Sequence, residues 1–364
     1  MVSNFGYNFP AIRGLQAGRE YFVSMCPLRV IPKIFLFDEQ ELKPELRAQR
    51  VLNSGRVPEI SRYITDNPED YVFSALTASI DADVGFQPLG EEGESSRVGV
   101  LTVPMDARFI INDGQHRRAA IEEALETRPE LGDETIAVVF FLDKGLERCQ
   151  QMFADLNRHA IRPSKSLGIL YDHRDEGAKL ARLVVLQSQF FRDLVEMERS
   201  TLSQRSRKLF TLSAIYRATM ELLDDMELQD EQDAADVATR YWEAVAEHFP
   251  EWQQVRQGKM AAGEVRSDFI HSHGIVLQAL GTAGNALMRR YPKSWHKKLP
   301  ALGEIDWSRS NQKLWEGRAM IGGRVSKSSH NVTLTTNVIK LQLGLDLSPE
   351  EQRVEDAYMG GHHG

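Results

Sequence analysis

The sequence predicts an α+β protein, an α/β domain over residues 1–165 followed by a mainly α-helical region over 166–364. Three observations lead there. Short apolar runs, Phe109-Ile110-Ile111 and Ile136 to Leu142, alternate with helix-like stretches in the first part. From about Ser166 onward helical patterns dominate. The chain has 364 residues, 42% hydrophobic and 26% charged, enough for two domains with their own cores.

Tyr21 to Phe37 reads as strand, with Pro27 and Pro32 bending it or marking an edge. Glu45 to Asn53 and Pro58 to Thr65 read as helices, Pro58 suiting a first turn and Asn67-Pro68 ending the second. Tyr71 to Ile80 is strand-like, and Gly90 to Ser96 is a polar loop. Val98 to Val103 and Ala107 to Ile111 follow as strands, then a helix from Gln115 to Leu125. Ile136 to Leu142 is a buried strand, and Leu146 to His159 has helical period. In the second part Lys179 to Val195, Lys208 to Leu223, Ala234 to Phe249 and Ile270 to Tyr291 are predicted long helices. Leu334 to Leu345, with Gly344 near its end, is a last one.

Several functions are disfavoured at once. No apolar run approaches the ~20 residues that span a bilayer, and the N-terminus lacks a basic-then-apolar secretory pattern. Cys26 and Cys149 are far apart without metal spacing. His271 and His273 have no Cys or acidic cluster to complete a zinc site, so they read as core or surface histidines.

The segment Asn112-Asp113-Gly114-Gln115-His116-Arg117-Arg118 carries the most chemistry. A strand ends, Asn112 or Asp113 is placed to cap the next helix, and Gly114 lets the backbone come close to a bound group. Three basic side chains in a first turn oppose the helix dipole, and an anion there would relieve them. Free amides and fixed positive charge make phosphate the natural ligand. The alternative is a solvated Asp-Gly turn with surface arginines.

The net charge of −8 hides segregation of sign. Residues 199–217 hold Arg199, Arg205, Arg207, Lys208 and Arg217 without an acid, whereas 221–236 hold acids without a base. Residues 318–340 hold Arg318, Arg324, Lys327 and Lys340, again without an acid. Local basic surface sets phosphate affinity, so DNA remains a partner to expect. Arg205, Arg207, Lys208 and Arg217, at the predicted helix start, are the first DNA-contact candidates. Arg324 and Lys327, in a glycine-led polar loop, are the second. The competing reading pairs the first group with the acids of 221–236.

Asp113-Gly114-Gln115-His116-Arg117 is similar to the DGQHR signature. With Phe9-Pro10-Ala11-Ile12-Arg13-Gly14, Met25-Cys26-Pro27-Leu28-Arg29, Met152 to Arg158, Gly322-Gly323-Arg324 and Ser328-Ser329-His330-Asn331-Val332, it makes most of the chain resemble the DndB family of DNA sulfur-modification proteins. The resemblance implies a cytoplasmic DNA-binding repressor acting on promoter DNA of the phosphorothioate-modification genes, modulated by ATP binding or hydrolysis. It implies a ParB/sulfiredoxin-like first domain in which Gly114, Gln115, His116 and Arg117 hold nucleotide phosphates. Asn157-Arg158-x3-Arg162 is similar to the Asn/Arg box of ParB proteins, so Asn157, Arg158 and Arg162 are expected to reach phosphates and Mg²⁺. Sulfiredoxins carry a catalytic cysteine where Gln115 stands, which excludes thiol chemistry at this turn. Asp113 is a candidate to hold Mg²⁺ or orient water, and Glu59, in Arg56-Val57-Pro58-Glu59, is a weaker catalytic candidate. Sulfur-modification proteins are further expected partners, and a homodimer is expected by analogy with repressors on palindromes. The competing functions are a ParB-like nucleotide hydrolase or phosphotransferase whose DNA binding is secondary, and a non-catalytic subunit of the modification machinery.

Overall fold

The computed structural model describes residues 6–35, 55–144, 148–158 and 163–361. The chain is mixed α/β, with 14 α-helices among the described residues. It divides into two compact units, Met1–Ile161 and Arg162–Gly364.

The first unit is built on a seven-stranded sheet. Its strands are β1 (Gly6–Gln16), β2 (Arg19–Pro27), β3 (Leu76–Asp81), β4 (Gly85–Pro88), β5 (Val98–Pro104), β6 (Arg108–Asp113) and β7 (Thr135–Leu142). They lie in the order β4-β5-β1-β2-β7-β3-β6, antiparallel throughout except for the parallel pair β3–β7. Four helices accompany them: α1 (Ile31–Ile34), α2 (Arg56–Asp66), α3 (Gln115–Thr127) and α4 (Cys149–Arg158). Phe22, Ile80, Leu101, Val138 and Phe140 from the strands meet Ala120, Ile121 and Ala124 of α3 in one core. The helix positions recur at three- and four-residue spacing, which turns one stripe of α3 inward. Cys26 is fully buried there, and burial pushes its thiol up to about 11, so it stays protonated at neutral pH.

The expected strand from Tyr21 ends at Pro27. Leu28–Val30 forms a 3₁₀ turn that runs into α1, where Pro32 occupies a first-turn position with its nitrogen needing no intrahelical partner. β1 and β4 were not anticipated, and Tyr71 to Ser74 precedes β3 without strand structure. The expected helix over 45–53 lies outside the described residues.

The second unit is helical. Its α-helices are α5 (Lys165–Tyr171), α6 (Glu176–Gln187), α7 (Leu212–Leu223), α8 (Glu231–Ala246), α9 (Pro250–Arg256), α10 (Ala262–Asp268), α11 (Gly274–Arg290), α12 (Gln312–Trp315), α13 (Ser329–Gln342) and α14 (Pro349–Gly361). Two short strand pairs, β8 (Val195–Glu196) with β9 (Phe210–Thr211) and β10 (Met320–Ile321) with β11 (Arg324–Val325), complete it. Gly281 lets α11 lie against α7: a Cβ there would stand 2.1 Å from the Ala218 carbonyl oxygen. Trp242, Trp252, Trp315, Phe191, Phe210 and Phe249 fill the core.

His271 belongs to that core. Trp252 Nε1–H donates to its Nδ1 at 2.8 Å, which places the ring proton on Nε2, 3.3 Å from the Glu251 carboxylate. Burial holds its pKa down against the pull of Glu251. Among the described residues no group of three or more His, Cys, Asp or Glu gathers as a metal site, and no helix is long and apolar enough to cross a membrane.

Candidate functional site

The turn at residues 112–118 is positioned by the β3–β6 pairing. That ladder shifts register between Thr77 and Ala78, so Thr77 faces Asp113 while Ala78 faces Ile111. Asn112 falls at the irregularity, 1% exposed, with Nδ2 donating to Ser79 Oγ at 2.8 Å and Oδ1 without a hydrogen-bond partner. Gly114 follows with φ +105°, in the left-handed region that glycine tolerates best, and α3 begins at Gln115.

Gly114 is the N-cap, and no side chain caps α3. This corrects the expectation that Asn112 or Asp113 would do so. Asp113 still belongs to β6, and its Oδ2 accepts from Arg117 Nη2 at 2.6 Å. The N-cap position itself therefore offers α3 no side-chain acceptor of the Ser, Thr or Asp type.

The basic residues of this turn divide in role. Arg117 is tied to Asp113 and donates through Nη1 to the Ser74 carbonyl at 2.9 Å and to the Ser74 hydroxyl. Arg118, 5% exposed, donates to the carbonyl oxygens of Phe35 (2.9 Å) and Pro32 (3.2 Å) and pairs with Glu122. Both arginines have their charge engaged inside the protein. His116 is half-buried, and burial, reinforced by Arg56, lowers its pKa. It is consequently neutral at pH 7. Arg56 opens α2, which packs alongside α3. Gln115 Nε2 donates back to the Ile111 carbonyl at 3.3 Å.

Of the other expected residues, Glu59 sits exposed in the first turn of α2. Asn157 and Arg158 close α4, which packs against β6. Arg162 lies outside the described residues. Ser74 and Arg56 are neighbours of the turn that the sequence does not reveal. No local pattern links them to Arg117, because the strand order brings them there.

In the second unit, Arg205 and Arg207 lie exposed on the loop before β9. Lys208 is half-buried, its Nζ donating to the Asp193 carbonyl at 2.9 Å. Helix α7 starts only at Leu212, capped by the Thr211 hydroxyl accepting from Ala214 N–H. The three residues are thus ahead of the helix rather than in its first turn. Gly322 and Gly323, with φ of +56° and +71°, form the two-residue turn of the β10–β11 hairpin, which exposes Arg324. Arg217, exposed on α7, and Lys327 line the same cavity. Among the described residues no ion pair joins the bases of 199–217 to the acids of 221–236. Asp225 instead pairs with Arg289 at 2.8 Å, and Glu221 accepts from Gln278 and Thr282.

No curated protein and no solved structure matches the chain. The family model DndB, described as DNA-sulfur modification-associated, matches residues 9–346, nearly the whole chain, and the protein belongs to that family.

Proposed function

We propose that this protein is a DNA-binding repressor of phosphorothioate-modification genes, with promoter affinity modulated by bound ATP. Membership of the DndB family supports the connection to DNA sulfur modification. The observation that carries the DNA half is the acid-free segment 199–217, with Arg205 and Arg207 exposed and in no ion pair among the described residues. Unpaired surface cations next to a chain of net charge −8 are what a phosphate backbone selects. Arg324, exposed on the β10–β11 hairpin, is the second candidate contact. Lys208 acts from within the loop through its carbonyl contact.

The double substitution Arg205→Glu with Arg207→Glu is expected to weaken promoter binding at least ~10-fold at fixed salt, each lost phosphate contact also flattening the salt dependence. A gel-shift titration at two salt concentrations checks it. Unchanged affinity would take this loop out of the DNA surface.

The nucleotide is assigned to the Gly114 turn, in a first unit read as ParB/sulfiredoxin-like. The glycine-led start of α3 with Gln115, His116 and Arg56 would receive phosphate oxygens, while the Asp113–Arg117 pair holds the turn in shape. Asn157 and Arg158, at the end of α4, are assigned to the same polyphosphate. Mg²⁺ would be held by Asp113, whose Oδ1 is not engaged by Arg117, and by Asn157. Glu59 is the residue assigned to orient water should the nucleotide be hydrolysed. His116→Ala is expected to weaken ATP about 10-fold, roughly 1.4 kcal/mol, with the circular dichroism spectrum unchanged. Calorimetry returning wild-type affinity would refute the assignment. ATP alters DNA affinity only in so far as it binds one conformation of the protein better than the other. The reading includes a cytoplasmic homodimer working beside the sulfur-modification proteins.

A further inference from the structure

The second unit contains a cavity of about 560 Å³ with a one-sided charge. Lys165, Arg217, Arg266, Arg309 and Lys327 line it, and no Asp or Glu does. Arg266 is held by the carbonyls of Ser203 (2.7 Å) and Lys208, and Arg309 by those of Ser267 (3.3 Å) and Gly323 (3.0 Å). These two are fixed parts of the wall. Lys165, Arg217 and Lys327 enter no ion pair among the described residues. Arg217 and Lys327 also border a neighbouring cavity of about 490 Å³, and the carboxylates of Glu221, Glu350 and Glu351 line that one.

Lys165, Arg217 and Lys327 all keep exposed surface, and their mutual repulsion without a carboxylate falls on Lys327. Burial, then Arg217 and Lys165, push its ammonium down to about 8. Its Nζ stands where a side chain at Gly274 would begin, 3.2 Å from an ideal Cβ. Gly274 is the first residue of the 17-residue α11, whose N-terminus has no side-chain cap. The positive end of that helix therefore adds to the field of the three cations. Ser272, also lining the cavity and 5% exposed, has a hydroxyl oxygen with no hydrogen-bond partner. A buried hydroxyl without a partner is rare in a folded protein unless a ligand or water supplies one.

We propose that this cavity is a second phosphate site, built for the phosphoryl group of a small soluble phosphorylated ligand and independent of the nucleotide reading of the Gly114 turn. A tetrahedral dianion matches three converging cations, a helix N-terminus and a hydroxyl donor. The volume lies in the range of small-ligand pockets. The site joins Arg217 and Lys327, which the sequence offers as two separate DNA contacts, and adds Lys165.

The test titrates inorganic pyrophosphate into the full-length protein by calorimetry, with promoter DNA measured in parallel. Lys327→Met and Arg217→Gln are each expected to weaken one pyrophosphate binding event at least ~10-fold. His116→Ala should leave that event in place, and Lys327→Arg should restore it, which separates lost charge from a disturbed fold. Wild-type pyrophosphate binding in both variants overturns the proposal. So does loss of promoter affinity with pyrophosphate binding untouched, which would make the cavity part of the DNA surface. Loss of the event in His116→Ala instead of Lys327→Met would assign it to the Gly114 turn and overturn the proposal equally.

Discussion

Glu355→Ala is expected to destabilise the second unit by about 3–5 kcal/mol, the largest single effect we anticipate. Arg318 and Glu355 form a two-pronged pair, Nη1 to Oε2 at 2.9 Å and Nη2 to Oε1 at 2.5 Å, with both residues under 10% exposed. Asn337 of α13 donates to the same carboxylate at 3.0 Å, and the Arg318 guanidinium lies 4.2 Å from the centre of the Tyr358 ring. Glu355 is thereby the point at which α14 is fastened to α13 and to the segment before β10. Removing its carboxylate leaves a buried guanidinium with, among the described residues, the Leu334 carbonyl at 3.3 Å and the Tyr358 ring but no anion, and that unmet charge sets the magnitude. Burial raises the pKa of Glu355, but Arg318 and Asn337 together outweigh it and hold the folded value below the ordinary one. A group with a depressed folded pKa stabilises above its unfolded value and loses that contribution as pH falls through the folded one. Wild type should therefore lose this part of its stability in acid, and the alanine variant should have little left to lose. Urea unfolding monitored by tryptophan fluorescence at pH 7 and in acid checks both. A variant with the wild-type midpoint at pH 7 would show that the pair contributes nothing net.

The parts of the fold that could be read from sequence are those fixed by local chemistry. Strands β5, β6 and β7 follow from short apolar runs, and the start of α3 follows from Asn112-Asp113-Gly114. What escaped was set by distant partners. β1 carries Gly6, Pro10 and Gly14, poor strand formers, yet it lies between β2 and β5. Its ladder with β2 begins only at Ala11, so the missing N–H of Pro10 leaves no gap there. Helix α7 begins four residues later than the sequence suggests, because the basic run ahead of it resembles a first turn while the cap is Thr211. At the candidate site, the residues could be named in advance but not their allegiance. That Arg117 would turn to Asp113 and Ser74, and Arg118 to the carbonyls of Phe35 and Pro32, depends on the β3–β6 register and on the chain before α2. With both arginines answered from within, the pull of this turn on an anion falls to Arg56 and the positive end of α3. The cavity around Lys327 was invisible for the converse reason: Lys165, Arg217 and Lys327 are far apart in sequence, and each alone resembles an ordinary surface base.

The second large effect falls on the Gly114 turn, where fold and proposed function share one residue. Gly114→Ala is expected to destabilise the first unit by about 2–4 kcal/mol and to remove ATP binding. Two costs add. At φ +105° a side chain brings roughly 1–2 kcal/mol of backbone strain. Its Cβ would also stand 2.4 Å from Leu76 Cδ2 and 3.1 Å from Arg117 Nη2. Leu76 is fully buried at the start of β3, so it can give way only by disturbing the core, for about 1–3 kcal/mol. Relief by rotating the turn would break the Asp113–Arg117 pair and swing the amides of α3 away from any phosphate. Leu76→Ala beside Gly114→Ala separates the two costs, since it opens the space while leaving the backbone strain. The double variant should lose less stability than the sum of the single ones, in cycles measured by urea unfolding. If Gly114→Ala alone keeps wild-type stability, the left-handed turn is not the conformation of the protein in solution. If it loses stability yet binds ATP normally at a temperature where it remains folded, the turn is a structural hinge and the nucleotide sits elsewhere.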